Sequence, residues 1–187
     1  MARHILIKLL VPILLTSITQ DQEVKMIEWN ESFNLEWSDY KANPDWDDTN
    51  VAISATSLSF KYGLIKNNSG EVVGFQTEVK SYFYPQKSWY KKTSDVPLDL
   101  LIEHERLRFD ITELFARYFR RSISKLKPSK RIVNQFLKLN DSISNAMNRK
   151  HQLYDFETNG GLTREFQKQW EQEINEQLNS LAEFSIN

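Results

Sequence analysis

The sequence predicts an α+β fold in which an antiparallel sheet is built first and helices follow it. Three observations lead there. Between residues 51 and 84 the side chains alternate with period two, and from Pro97 onward apolar residues recur at helical spacing. A chain of 187 residues that is 40% hydrophobic can bury a sizeable core as one domain. With no cysteine, that core is held without disulfides, and thiol catalysis and Cys-ligated metal sites are excluded.

The elements follow in order. Arg3 and Lys8 precede or interrupt an apolar run from Ile5 to Leu15, and Thr16, Ser17 and Thr19 follow it. That is the layout of a secretory signal peptide over residues 1–19, with cleavage before Gln20, and the run is too short to span a bilayer stably. The expected organisation is therefore a leader, 1–19, and a single domain, 20–187, exported to the periplasm or secreted, with no stable membrane span after cleavage. Residues from about 27 to 93 read as β-structure. Val51 to Tyr62 forms a first strand whose buried face carries Leu58, Phe60 and Tyr62. Asn67-Asn68-Ser69-Gly70 is a turn, and Val72 to Tyr84 returns as a second strand with Val73, Phe75, Thr77, Val79 and Ser81 on one side. Asn43-Pro44-Asp45 marks a loop.

Pro97 sits just inside a helix start, with Ser94 or Asp95 as cap, and Leu107, Ile111, Leu114 and Phe115 mark the buried face. Lys127-Pro128-Ser129 breaks this helix. A second runs from about 129 to 150 with Ile132, Val133, Phe136, Leu137 and Met147. After Asn159-Gly160-Gly161 a third covers about 163–183 with Phe166, Trp170, Ile174 and Leu178.

The charge balance is even, 24 basic against 25 acidic residues, which argues against nucleic acid as a partner. The one basic cluster, Arg117-Tyr118-Phe119-Arg120-Arg121 with Lys125, Lys127, Lys130 and Arg131, reads as a solvated helix end whose cations meet the helix dipole.

His104-Glu105-Arg106-Leu107-Arg108 carries the chemistry. A zinc protease helix reads H-E-x-x-H: two imidazoles one turn apart bind the ion, and the glutamate acts as general base on the bound water. Here Arg108 stands at the second ligand position. The surrounding stretch from Leu100 to Arg117 resembles the L-L-x-H-E-x-x-H-F-D-I-x-E-x-x-A-R helix of a bacterial family of predicted secreted zinc proteases, domain of unknown function 922. Leu35-Glu36-Trp37-Ser38-Asp39-Tyr40, Ser54-Ala55-Thr56, Phe83 with Ser88-Trp89, and Tyr154-Asp155-Phe156-Glu157-Thr158 with Gln167 and Trp170 resemble its other segments in the same order, over roughly residues 29–183.

The resemblance implies a zincin-like fold in which His104 is a vestigial zinc ligand and Glu105 a vestigial general base. It also implies two departures, because the family pattern places histidines where this chain has Arg108 and Gly160. Glycine offers no donor, and a guanidinium repels a cation. The expectation is an exported, non-catalytic member that takes no cofactor and binds a polypeptide or cell-envelope component. The alternatives are a structural envelope protein and an active metal-dependent peptidase. In the peptidase, zinc is held by His104 with carboxylates among Asp110, Glu113 and Glu157, or with His151 as substitute imidazole, and Glu105 is the base. Glu113 lies nearly opposite His104 on the helix and is expected to pair with Arg117 on the surface. Arg108 is expected either in the former metal position, paired with Glu105 or Glu157, or pointing into solvent.

Overall fold

The computed structural model describes residues 25–93 and 95–186. The expected leader, 1–19, and the candidate cap Ser94 lie outside the described residues. The architecture is α+β: a three-stranded antiparallel sheet, a two-stranded one and three helices. The strands are β1 (Ile27–Glu28), β2 (Ala52–Ile53), β3 (Thr56–Lys66), β4 (Val72–Phe83) and β5 (Trp89–Tyr90). The helices are α1 (Leu98–Ile123), α2 (Ile132–Glu157) and α3 (Arg164–Ser180). The larger sheet has the order β1-β4-β3, and β2 pairs with β5. No helix among the described residues is long and apolar enough to cross a membrane.

The β3–β4 hairpin has Phe60 opposite Val79 and Leu58 opposite Ser81. Its turn forms because Asn67 accepts hydrogen bonds from the Ser69 and Glu71 amides through its side chain and Gly70 takes φ +78°. Leu58, Phe60 and Val79 on one face pack against Ala116 and Phe119 of α1 and Phe136 of α2. The register shifts near the tip, where Lys66 faces Val72, so Val72 rather than Val73 joins Phe75 against the core and Val73, expected on that face, is 54% exposed.

The expected strand from Val51 to Tyr62 is two strands in different sheets. Side chains take over the backbone at the break: the Ala55 amide donates to Ser88 Oγ, and Ser54 Oγ bonds the Tyr40 hydroxyl at 2.5 Å. The chain thus crosses from the small sheet to the large one.

α1 is the central element. Leu107, Ile111, Leu114 and Phe115 pack against Met147 and Tyr154 of α2 and Trp170, Ile174 and Leu178 of α3, while Ile102 and Phe109 meet Leu35, Tyr40 and Phe83. Its cap is Pro97, not Asp95, whose place is two residues too early. The second helix continues seven residues beyond its expected end at 150, through Tyr154 and Asp155. Leu137 and Phe166, expected on buried faces, point outward at 53% and 46% exposure.

The basic cluster is a solvated helix end only in part: Lys125, Lys127, Lys130 and Arg131 are exposed, but the two arginines nearer its start are not. Arg117 is buried, and Arg120 is largely so. Both hold Glu113, through Arg117 Nε at 3.1 Å and Arg120 Nη1 at 3.0 Å, and Ser81 Oγ donates to the same carboxylate at 2.7 Å. The expected Glu113–Arg117 pair therefore exists, but in the interior between sheet and helix. Arg117 also donates to the Leu178 carbonyl in the last turn of α3, and Arg120 to that of Phe184, four residues beyond the helix end.

Candidate functional site

His104, Glu105 and Arg108 occupy one side of α1, at the wall of a cleft of about 480 Å³. The segment 49–54, which includes β2, forms part of the same cleft, with Asp155 at the last turn of α2 and Asn159-Gly160 beyond it. Val51, Ile53, Val96, Leu101 and Leu162 make much of the lining apolar.

The loop after α2 is shaped to meet His104. Thr158 donates its hydroxyl to the Tyr154 carbonyl at 2.6 Å and accepts from the Gly161 amide at 3.2 Å. Asn159, Gly160 and Gly161 then take φ +50°, +62° and +87° in succession. A Cβ on Gly161 would stand 2.5 Å from His104 Cβ, so only glycine lets this backbone lie against the histidine. On another side the Tyr154 ring stacks on the imidazole, with centroids 4.4 Å apart and planes 16° from parallel.

Both ring nitrogens are engaged. His104 Nε2 lies 3.2 Å from Asp155 Oδ1, and Nδ1 lies 3.4 Å from Gln167 Oε1 and from Thr158 Oγ1. The Tyr154 hydroxyl donates to Gln167 Oε1 at 2.6 Å. The imidazole is 3% exposed and is locked in place by α2 and α3 together.

The Arg108 guanidinium reaches Asp155 rather than Glu157, contacting both carboxylate oxygens through Nη1. Burial would raise the Asp155 pKa, but hydrogen bonds from His104 and Arg108 and the arginine charge bring it down to about 2. For Arg108, burial works against the charge, yet Glu105 and Asp155 raise its pKa above the ordinary value. Arg108 Nε lies 3.8 Å from Glu105 Oε2. That oxygen is buried and has no hydrogen-bond partner among the described residues. Burial, and then the Glu105 charge, push up the pKa of the Tyr40 phenol.

The other candidate residues stand elsewhere. Asp110 accepts from Trp29 Nε1 at 2.7 Å in a separate polar cleft of about 480 Å³, where Arg106 and Glu171 also lie. Burial raises its pKa to about 6. Glu113 is the interior anion described above. Glu157 is exposed and accepts from Trp170 Nε1 at 2.8 Å.

His151 lies one turn before Asp155 on α2, at the far side of the Arg108–Asp155 pair. It lines a second cleft that shares Ser54, Arg108 and Asp155 with the first. Its Nε2 is 3.3 Å from Thr112 Oγ1, its Nδ1 has no partner among the described residues, and burial followed by the Arg108 charge lowers its pKa to about 3.

The donors in the cleft do not fit a zinc ion. His104 Nε2 is turned to Asp155, a guanidinium lies on that same carboxylate, and Gly160 contributes no side chain. Among the described residues no three His, Asp or Glu side chains are placed to hold one ion.

Sequence reasoning missed Asp155 as the partner of both His104 and Arg108. The spacing of His151 and Asp155, four apart on one helix face, was the available signal. It also missed Gln167, Gly161 and the strand edge at 52–54, whose roles depend on long-range packing. Comparison of the chain with protein-family models, with curated proteins and with solved structures finds no match.

Proposed function

We propose that this chain is an exported, non-catalytic zincin-like protein that binds a polypeptide of the cell envelope in the His104–Glu105–Arg108 cleft. The observation that carries the reading is the Arg108 guanidinium engaged with Asp155 beside Glu105, where hydrolysis would need a Lewis acid. A fixed monocation neutralises carboxylates but cannot activate water as zinc does.

The small sheet suggests how a polypeptide would lie. The Lys91 amide donates to the Val51 carbonyl at 2.7 Å, so Val51 bonds toward β5. In an antiparallel pair the next residue alternates, and Ala52, opposite Tyr90, turns its N–H and C=O away from β5. Ala52 lines the cleft, so these groups are available to an added strand.

Two measurements on the purified protein test this. Elemental analysis after dialysis is expected to find no stoichiometric zinc, and an extended peptide is expected to perturb the amide resonances of residues 49–54. One zinc per chain surviving dialysis would overturn the non-catalytic reading. Peptide binding that leaves residues 49–54 unmoved would overturn the strand-edge site.

A further inference from the structure

We infer that Glu105 makes the cleft a receptor for a primary ammonium group, supplied by the N-terminus or a lysine side chain of the bound polypeptide. The inference rests on the reading of the cleft as a polypeptide site.

Glu105 is 4% exposed and lines the cleft; its Oε2 is closed to water and makes no hydrogen bond among the described residues, so a donor meets the carboxylate at the edge that faces the cleft. A carboxylate taken out of water and left short of a donor is costly, and a ligand that supplies the donor recovers that cost. The nearest cation does not do so. Arg108 Nε stands 3.8 Å from Glu105 Oε2, beyond hydrogen-bonding distance, while Nη1 of the same guanidinium is committed to Asp155. One arginine thus faces two carboxylates, and Glu105 is the one without a direct hydrogen bond from it.

The chemistry of the missing partner follows. A divalent ion needs several converging ligands, which the described residues do not supply. An anion would meet Glu105 itself. A monocation with N–H donors balances the charge, and an ammonium group brings three donors on a compact head. Apolar walls at Val51, Ile53, Val96, Leu101 and Leu162 suit the methylene stem of a lysine or the first side chain of an N-terminus.

The test uses the full chain with four probes. Three are heptapeptides: Ac-Ala-Val-Ala-Lys-Ala-Val-Ala-amide, its norleucine counterpart, and that counterpart with a free N-terminus. The fourth is n-butylammonium, compared with n-butanol, which has the same stem without the charge.

Calorimetry is expected to give at least one amine peptide roughly tenfold tighter binding than the capped norleucine peptide, as a charged hydrogen bond supplies. Which amine peptide wins identifies the source of the ammonium. Glu105→Gln is expected to remove the preference. In the unmodified chain, n-butylammonium is expected to shift the amides of residues 49–54 and n-butanol to leave them in place, a comparison that needs no variant to fold.

Equal affinity for amine and capped peptides, with equal effects of the two small probes, overturns the ammonium site and leaves polypeptide binding standing. Glu105-dependent binding of n-butylammonium without any peptide binding supports the ammonium site and overturns the polypeptide reading. Silence from all four probes overturns both.

Discussion

Arg108 on α1 and Asp155 on α2 are joined through one nitrogen, Arg108 Nη1, which contacts both oxygens of the carboxylate. The pair ties the two helices together at the cleft, with the Arg108 side chain 22% and that of Asp155 40% exposed. Removing the guanidinium by Arg108→Ala leaves Asp155 and the buried Glu105 without their cation. Between the limits for surface and interior pairs, the expected loss of stability is about 1–3 kcal/mol. Urea unfolding of that variant measures it, and a loss below about 1 kcal/mol would show that the pair holds nothing.

The interior carboxylate gives a larger effect. Glu113 is 2% exposed and answers Arg117, Arg120 and Ser81 at once. Glu113→Ala strands two guanidinium groups in the packed interior and is expected to cost about 3–5 kcal/mol. Glu113→Gln keeps acceptors without the charge and should fall between that variant and the unmodified protein in thermal unfolding.

Asp110 and His151 contribute to acid sensitivity in opposite directions. The Asp110 pKa is raised from 3.8 to about 6, so its contribution to stability is fully present below pH 3.8 and is lost as pH rises through about 6. Asp110→Asn, whose amide oxygen still accepts from Trp29, is therefore expected to stabilise the protein at pH 7 and to lose that advantage below about pH 4. For His151 the pKa is lowered from 6.5 to about 3, so stability present above pH 6.5 is lost as pH falls through about 3. Unfolding measured from pH 3 to 8 should show His151→Gln flattening the acid side and Asp110→Asn changing the slope between pH 4 and 6.

The two glycines after α2 should differ sharply. Both have positive φ, but a Cβ on Gly160 meets nothing within 4 Å, whereas on Gly161 it strikes His104. Gly160→Ala is expected to cost about 1–2 kcal/mol from the left-handed backbone alone. Gly161→Ala carries that strain and also displaces the imidazole, so it should be the more damaging by thermal unfolding. Equal losses would mean that α1 gives way without resistance.

Arg108 and Gly160 line the same cleft as His104. Arg108→His combined with Gly160→His is therefore expected to gain affinity for zinc by calorimetry, and either change alone to gain less. No gain from the double variant would remove the argument that the cleft descends from a zinc site.

The hairpin and the three helices were legible because their periods of two and 3.6 are written in consecutive residues such as Leu58, Phe60 and Tyr62, or Leu107, Ile111 and Leu114. His104, Glu105 and Arg108 were legible as a group because helical spacing alone puts them together. Asp155 was not, because its meeting with Arg108 depends on how α2 packs on α1. The break at Ser54-Ala55 was hidden for a similar reason, since it is made by Tyr40 and Ser88 from elsewhere in the chain. Glu113 was misplaced because the (i, i+4) rule identifies its partner Arg117 but says nothing about which side of the helix faces the sheet.

The two guanidinium groups that meet the end of α3 bear on how the chain is synthesised. Arg117 and Arg120 find acceptors at Leu178 and Phe184, 61 and 64 residues later. When α1 leaves the ribosome those carbonyls do not yet exist, and at about 5–20 residues per second they follow several seconds afterwards. During that interval the acceptors already made are Glu113, which takes both cations, and the Val79 carbonyl on the hairpin, which takes Arg120 Nε at 3.0 Å. Until the stretch from Leu178 to Phe184 is present both guanidinium groups lack these two acceptors, so a chain that ends before it cannot complete the native centre.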